Sequence, residues 1–275
     1  MHINISFWIL FSFFSTPSND TPPKLLWSDE FNDELSQREW TFDEGNGCPG
    51  LCGWGNNELQ YYTGDQKNVR VKDGVLIIEA HKQEMKESSY TSARIKTVAP
   101  NSWKYGYIEI RAKLPEGRGT WPALWMLPDS LVYGGWPTSG EIDIMEHVGY
   151  DPGVVHGTVH TLDFNHIKGT QIGKQRKVEN FQTEFHTYAV NWTADEIEFY
   201  IDGEHYHTFK NNGNGLSAWP FDHHFHVVIN IAVGGGWGGA KGVDENIWPQ
   251  RMEVDYVRVY EPLLTTYHKT FFVKK

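Results

Sequence analysis

Residues 136–149 read WPTSGEIDIMEHVG, with three acids, Glu141, Asp143 and Glu146, set among Ile142, Ile144 and Met145. Side chains of an extended chain alternate between faces, so the stretch reads as a half-buried strand with Glu141 and Asp143 on one face and Ile142 and Ile144 on the other. Glu146 is out of phase with the first two acids. One extra residue near Met145, a β-bulge, restores the phase and returns Glu146 to the face of Glu141 and Asp143. Grouped carboxylates repel one another, and a fold rarely keeps such a group without a use for it.

Working outward, the same period of two recurs. VLIIEAH (75–81) puts Leu76, Ile78 and Ala80 on one face, and YGYIEIRAKL (105–114) puts Ile108, Ile110, Ala112 and Leu114 opposite Tyr107, Glu109 and Arg111. In EIEFYIDGEHYHTF (196–209), Ile197, Phe199 and Ile201 alternate up to Asp202-Gly203, a pair suited to a type I′ hairpin turn. DHHFHVVINIAVGG (222–235) and MEVDYVRVYE (252–261) repeat the pattern. Many strands joined by Gly-rich turns, with no convincing helical period, predict an all-β protein, two packed antiparallel sheets in a β-sandwich or jelly roll. The sandwich spans residues 25–261, and 262–275 read as a C-terminal tail, because Pro262 cannot donate into a ladder.

Twelve Trp and thirteen Tyr in 275 residues exceed what packing asks for. Sugars stack their C–H faces on such rings, although Trp also fills sandwich cores. The net charge of −11 argues against nucleic acid and mildly against a polyanionic substrate. INISFWILFSFF (3–14) followed by STPSND (15–20) is too short to span a bilayer and fits the apolar region of a signal peptide over 1–20, although His2 is the sole basic residue before it. Export follows, to a secreted or periplasmic location; a disordered or membrane-associated N-terminus is the alternative. Both cysteines, Cys48 and Cys52, lie in GCPGLCGWG. In an oxidising compartment they read as a disulfide, whereas metal binding lacks a second pair of thiols.

Paired carboxylates suit glycosidic bond cleavage, one as nucleophile and one as acid then base, with Asp143 placed to set which neighbour holds a proton. A charged strand face is the plainer alternative. A third is a Glu/His metal centre using His156 and His160, which share a face of HGTVH.

Together with GEIDIMEHVG, the stretches WGNNELQYYT (54–63), YTSARIKT (90–97), YGYIEIRAKLPEGRGTWPALWMLP (105–128), HGTVH (156–160) and VGGGWGG (233–239) resemble glycoside hydrolase family 16 in its bulged, laminarinase-type form. The resemblance covers residues 25–261 and implies a concanavalin A-like jelly roll with a cleft across its concave sheet. It implies Glu141 as nucleophile, Glu146 as acid/base, Asp143 as their helper, and His160 on the adjacent strand near the acid/base. It further implies sugar contacts from Asn57, Arg94, Trp121, Trp125 and Trp136, with Trp237 at the cleft edge. No cofactor serves catalysis; a structural calcium is implied at Asp255, with carbonyls from Glu30 and Gly74. The activity implied is endo-acting, retaining hydrolysis of β-1,3-glucan, with mixed β-1,3/1,4-glucan as a further substrate, by a monomer whose partner is the polysaccharide. Same-family galactan hydrolases (agarase, porphyranase or carrageenase) and a non-catalytic glucan-binding module are the alternatives.

Overall fold

Each alternating stretch pairs into an antiparallel ladder in the computed structural model, which describes residues 22–263. The expected signal peptide and the tail beyond Leu263 lie outside the described residues. The first strands are β1 (Leu25–Asp29), β2 (Trp40–Phe42), β3 (Gln60–Tyr62), β4 (Val69–Lys72), β5 (Val75–Met85) and β6 (Ser88–Ser92). The middle of the chain forms β7 (Arg94–Thr97), β8 (Gly106–Lys113), β9 (Thr120–Pro128), β10 (Glu141–His147), β11 (Val154–His160) and β12 (Ile172–Lys177). The last five are β13 (His186–Trp192), β14 (Glu196–Ile201), β15 (Glu204–Lys210), β16 (Phe225–Val233) and β17 (Gln250–Tyr260). Among the described residues the one helical turn is Cys52–Gly55, and no helix is long and apolar enough to cross a membrane.

Two sheets result. The site-bearing sheet runs β12-β11-β10-β9-β16-β7-β2, and its partner runs β15-β14-β13-β8-β17-β5-β6-β3, with β1 on β17 and β4 on β5. β3 joins β6 in parallel, against the antiparallel expectation for every pairing. Between the sheets lies one core: Ile142, Leu124, Ile229 and Val159 from the first meet Leu76, Ile78, Ile108, Ile110, Phe199 and Val254 from the second, all fully buried. The expected inward faces of β5, β8 and β14 are therefore the ones found. Asp202 and Gly203 take φ of 50° and 75°, as a type I′ turn requires.

The outer face of β8 departs from the half-exposed expectation. Tyr107 and Glu109 are buried as well, because Tyr107, Ala189, Tyr200 and Leu263 form a small second cluster. Leu263 is pinned there by its N–H donating to Asn191 Oδ1 at 2.8 Å, so ordered packing continues past residue 261.

Candidate active site

The bulge in β10 is where the spacing of the acids requires it. Asp143 pairs with Thr158 on β11 and Trp125 on β9; the next pairs are Glu146 with His156 and Met145 with Leu124. Two adjacent residues, Ile144 and Met145, thereby both sink into the core. Glu141, Asp143 and Glu146 are left together on the outer face, flanked by rows from β11 and β9.

Each glutamate is held by one indole. Trp136 Nε1 donates to Glu141 Oε2 at 2.8 Å, and Trp121 Nε1 donates to Glu146 Oε1 at 3.0 Å. His160 pairs in the ladder with Glu141, its Nε2 lying 3.9 Å from Glu141 Oε1 and 3.3 Å from Asp143 Oδ2. Its closest carboxylate contacts are thus Asp143 and Glu141, and its charge also acts on Glu146, the acid/base that the resemblance implies; His156 is the histidine paired with Glu146 in the ladder. Glu141, Asp143 and His160 offer ligand atoms within 4.8 Å of one another, but His156 is not part of that group, so the two histidines of HGTVH form no common centre.

Burial raises all three carboxyl groups, because desolvation penalises the charged form. Glu141 is pushed up to about 8, first by desolvation and then by Asp143. Glu146 is pushed up to about 7 by desolvation, with His160 and the Trp121 indole opposing and Glu141 adding to the rise. Asp143 is raised by desolvation and by Glu146. Acids this close titrate as a set, sharing protons among themselves.

On the far side of β9 the cleft is built around a cation. The Arg94 guanidinium lies 4.7 Å from the ring centres of both Trp54 and Trp125, and its Nε meets Asp43 Oδ2 at 3.0 Å. Stacking and pairing leave that long side chain little freedom. Trp54 lies two residues beyond the small loop closed by the Cys48–Cys52 disulfide. Asn57, further along the same segment, is exposed and left-handed at φ 58°. At the Glu146 end, Trp237 packs edge-on against Trp121 at 5.5 Å and against His156 at 4.9 Å. Trp136, the most exposed of the site's tryptophans at 39%, lies 5.0 Å from His166.

Of the residues expected to touch sugar, Arg94, Trp121, Trp125, Trp136 and Trp237 thus make contacts on this one face, and Asn57 lies three residues on from Trp54. Trp54, Asp43, His166 and Asn230, which accepts from Trp125 Nε1 at 2.8 Å, belong to it too. Neither Trp54 nor His166 carried a readable signal, because both sit in segments without a strand period.

Glu30, Gly74 and Asp255 come to a corner of the other sheet, where Asp29 pairs with Val257 and Leu76 with Val254. The Asp255 carboxylate, a third exposed, pairs with Arg111, and Glu30 takes two bonds from Arg258 at 2.9 and 2.7 Å. Both carboxylates at this corner are thus taken by arginines, and among the described residues the one cluster of three or more metal-ligating side chains is Glu141, Asp143 and His160, in the other sheet.

Comparison with known proteins agrees with this geometry. The profile of glycosyl hydrolases family 16 matches residues 56–258. A beta-glucanase of Rhodothermus marinus is 51% identical over 247 residues, which cover 86% of this chain and 85% of that protein. Glucan endo-1,3-beta-glucosidase A1 of Niallia circulans is 40% identical over 257 residues, covering 86% of this chain and 38% of its own length. The X-ray structure of the laminarinase from Rhodothermus marinus superposes with a TM-score of 0.84 at 50% identity, over 88% of this chain and 99% of that one. The chain belongs to glycosyl hydrolase family 16.

Proposed function

We propose that this protein is an endo-acting β-1,3-glucanase that hydrolyses with net retention, Glu141 being the nucleophile and Glu146 the acid/base. The observation that carries the reading is the β10 bulge, which aligns three carboxylates on one face, Asp143 buried and the two glutamates half-buried, with an indole donating to each glutamate. The relatives named for β-1,3-glucan or laminarin support the substrate, as does the acidic balance of the chain, which disfavours a sulfated galactan.

The chemistry follows from the contacts. Trp136 occupies Oε2 of Glu141, leaving Oε1 to attack the anomeric carbon. As that bond forms, the bond to the leaving oxygen breaks, and the oxygen takes the proton of Glu146. Trp121 occupies Oε1 of Glu146, so Oε2 carries that proton. A proton shared between Glu141 and Asp143 rests on Asp143 in the reactive state, which leaves Glu141 ionised and oriented. Water then attacks the glycosyl ester, gives its proton to Glu146 and frees the Glu141 carboxylate. Arg94, Asn57, Trp54 and Trp125 bind the sugar on one side of the scissile bond; His160 and Trp136 orient the Glu141 end. Mixed-linkage glucan is a further substrate, the enzyme acts as an exported monomer, and calcium at the Asp255 corner serves stability alone.

The test is reducing-sugar release from laminarin, mixed-linkage β-glucan, agarose, porphyran and carrageenan, with Glu141→Gln as control. Release from laminarin that vanishes in the variant is the expected result. Release from a galactan only overturns the substrate, and binding without release moves the protein to the non-catalytic class.

A further inference from the structure

The acid Glu58 has no part in the reaction as written, yet three side-chain donors converge on it. Its carboxylate accepts from Gln60 Nε2 at 2.6 Å, Asn56 Nδ2 at 3.2 Å and the Tyr62 hydroxyl at 3.3 Å. Those bonds end a one-way chain of donors: Trp125 Nε1 to Asn230 at 2.8 Å, Asn230 Nδ2 to Tyr62 Oη at 3.0 Å, then Tyr62 to Glu58. Gln60 is itself fixed, accepting the Val233 N–H at 2.7 Å. A backbone bridge from Glu58 to Gly234 ties this loop to the end of β16.

Gly235 locates Glu58 against the reacting groups. A Cβ built there, at φ +76°, would stand 3.2 Å from the Trp121 ring and 3.5 Å from Glu58 Cγ. The indole and the Glu58 side chain therefore flank one small space, and the same indole donates to Glu146 at 3.0 Å. Glu58 is separated from Glu146 by one ring.

Resting on the assignment of Glu146 as acid/base, we propose that Glu58 is a positioning residue for the reaction: its carboxylate, held by three donors one indole from Glu146, favours the protonated, bond-cleaving form of that acid. Its own carboxyl is raised by burial and held back by Gln60, Asn56, Arg94 and Tyr62. The charged and titratable groups acting on Glu146 are Glu141 and Asp143 along β10, His160 on β11 with His156 paired alongside, and Glu58 from the loop. His160 favours the ionised form of Glu146; Glu141 and Glu58 favour the protonated form. Of the two, only Glu58 lies outside the catalytic strand and makes no bond to sugar in the reaction.

The experiment is the pH dependence of kcat/KM on laminarin for wild type, Glu58→Gln, Glu58→Asp and Glu146→Gln. Removing the charge in Glu58→Gln moves the alkaline limb down by about 0.3–0.5 of a pH unit, roughly a two- to threefold loss above the limb, with the acid side little changed. Glu58→Asp, which keeps the charge, returns the limb toward wild type, a recovery that mere support of the loop would not produce. Glu58→Ala gives the same downward shift and serves if the Gln variant does not fold. An aryl β-laminaribioside, whose leaving group needs little protonation, loses less than laminarin does. A Glu58→Gln or Glu58→Ala limb superimposed on wild type, with Glu146→Gln slowed about 10²-fold or more on laminarin, overturns the proposal alone. Laminarin turnover by Glu146→Gln near the wild-type rate overturns the acid/base assignment instead.

Discussion

On the convex sheet Glu253 meets Lys113 and Arg251, Asp255 meets Arg111, and Glu109 accepts from Tyr107 and Tyr256; on the concave sheet Glu141, Asp143 and Glu146 share one histidine and two indoles. Both faces present acids in alternating strands, and sequence period alone makes them equivalent. The difference is the supply of partners, cations for Glu253 and Asp255 and two tyrosine hydroxyls for Glu109. Acids that have partners hold the sheet together, whereas acids buried with too few partners keep protons at neutral pH and are available for transfer.

The contrast breaks most sharply at Glu141. Glu141→Gln is expected to lower kcat on laminarin by about 10⁴-fold or more, because an amide cannot form the glycosyl ester, while substrate binding persists. Isothermal binding of laminarin oligosaccharides beside rate measurements checks both halves. Glu146→Gln is expected to cost about 10²–10⁴-fold on laminarin and far less for glycosylation by an aryl glycoside, whose leaving group departs unaided.

Stability runs the opposite way. Glu141 goes from an ordinary 4.5 to about 8 in the fold, so the folded state binds more protons than the unfolded one across that window. Stability contributed by this group is full below about 4.5 and falls as pH rises toward about 8. Urea midpoints measured across this range should decline for wild type and decline less for Glu141→Gln, which should also be the more stable protein near the upper end. A parallel, undiminished decline in the variant contradicts the burial account.

The smallest effect belongs to the convex face. Arg251→Ala removes a pairing that is more than half exposed on the arginine side, and it should cost about 0.2–1 kcal/mol with kcat unchanged. Calcium should likewise raise the melting temperature without altering turnover, as differential scanning with and without a chelator would reveal.

Much of this difference was legible in the chain. The out-of-phase Glu146 announced the bulge, because a strand has a strict period of two and only an inserted residue reconciles three acids with Ile142, Ile144 and Met145. Asp202-Gly203 and the two cysteines were equally plain, each being a local matter. Tyr107 and Glu109 were not, since their burial depends on Tyr200 and on Leu263, distant residues brought over the outer face. Trp54 and Glu58 were hidden for another reason: they sit on a loop where Gly53, Trp54, Gly55 and Asn57 all take positive φ, and no alternation reports which way such a side chain points. Sequence period reads strands; a loop's contribution to the cleft depends on what it packs against.

The most direct measurement is to trap the enzyme with a 2-deoxy-2-fluoro laminaribioside bearing an activated leaving group and map the labelled peptide by mass spectrometry. The account predicts a single glycosyl ester on Glu141, lost on standing in water or with an acceptor sugar. A label on Glu146 or Asp143, or turnover of laminarin with inversion and no labelled enzyme, would contradict it.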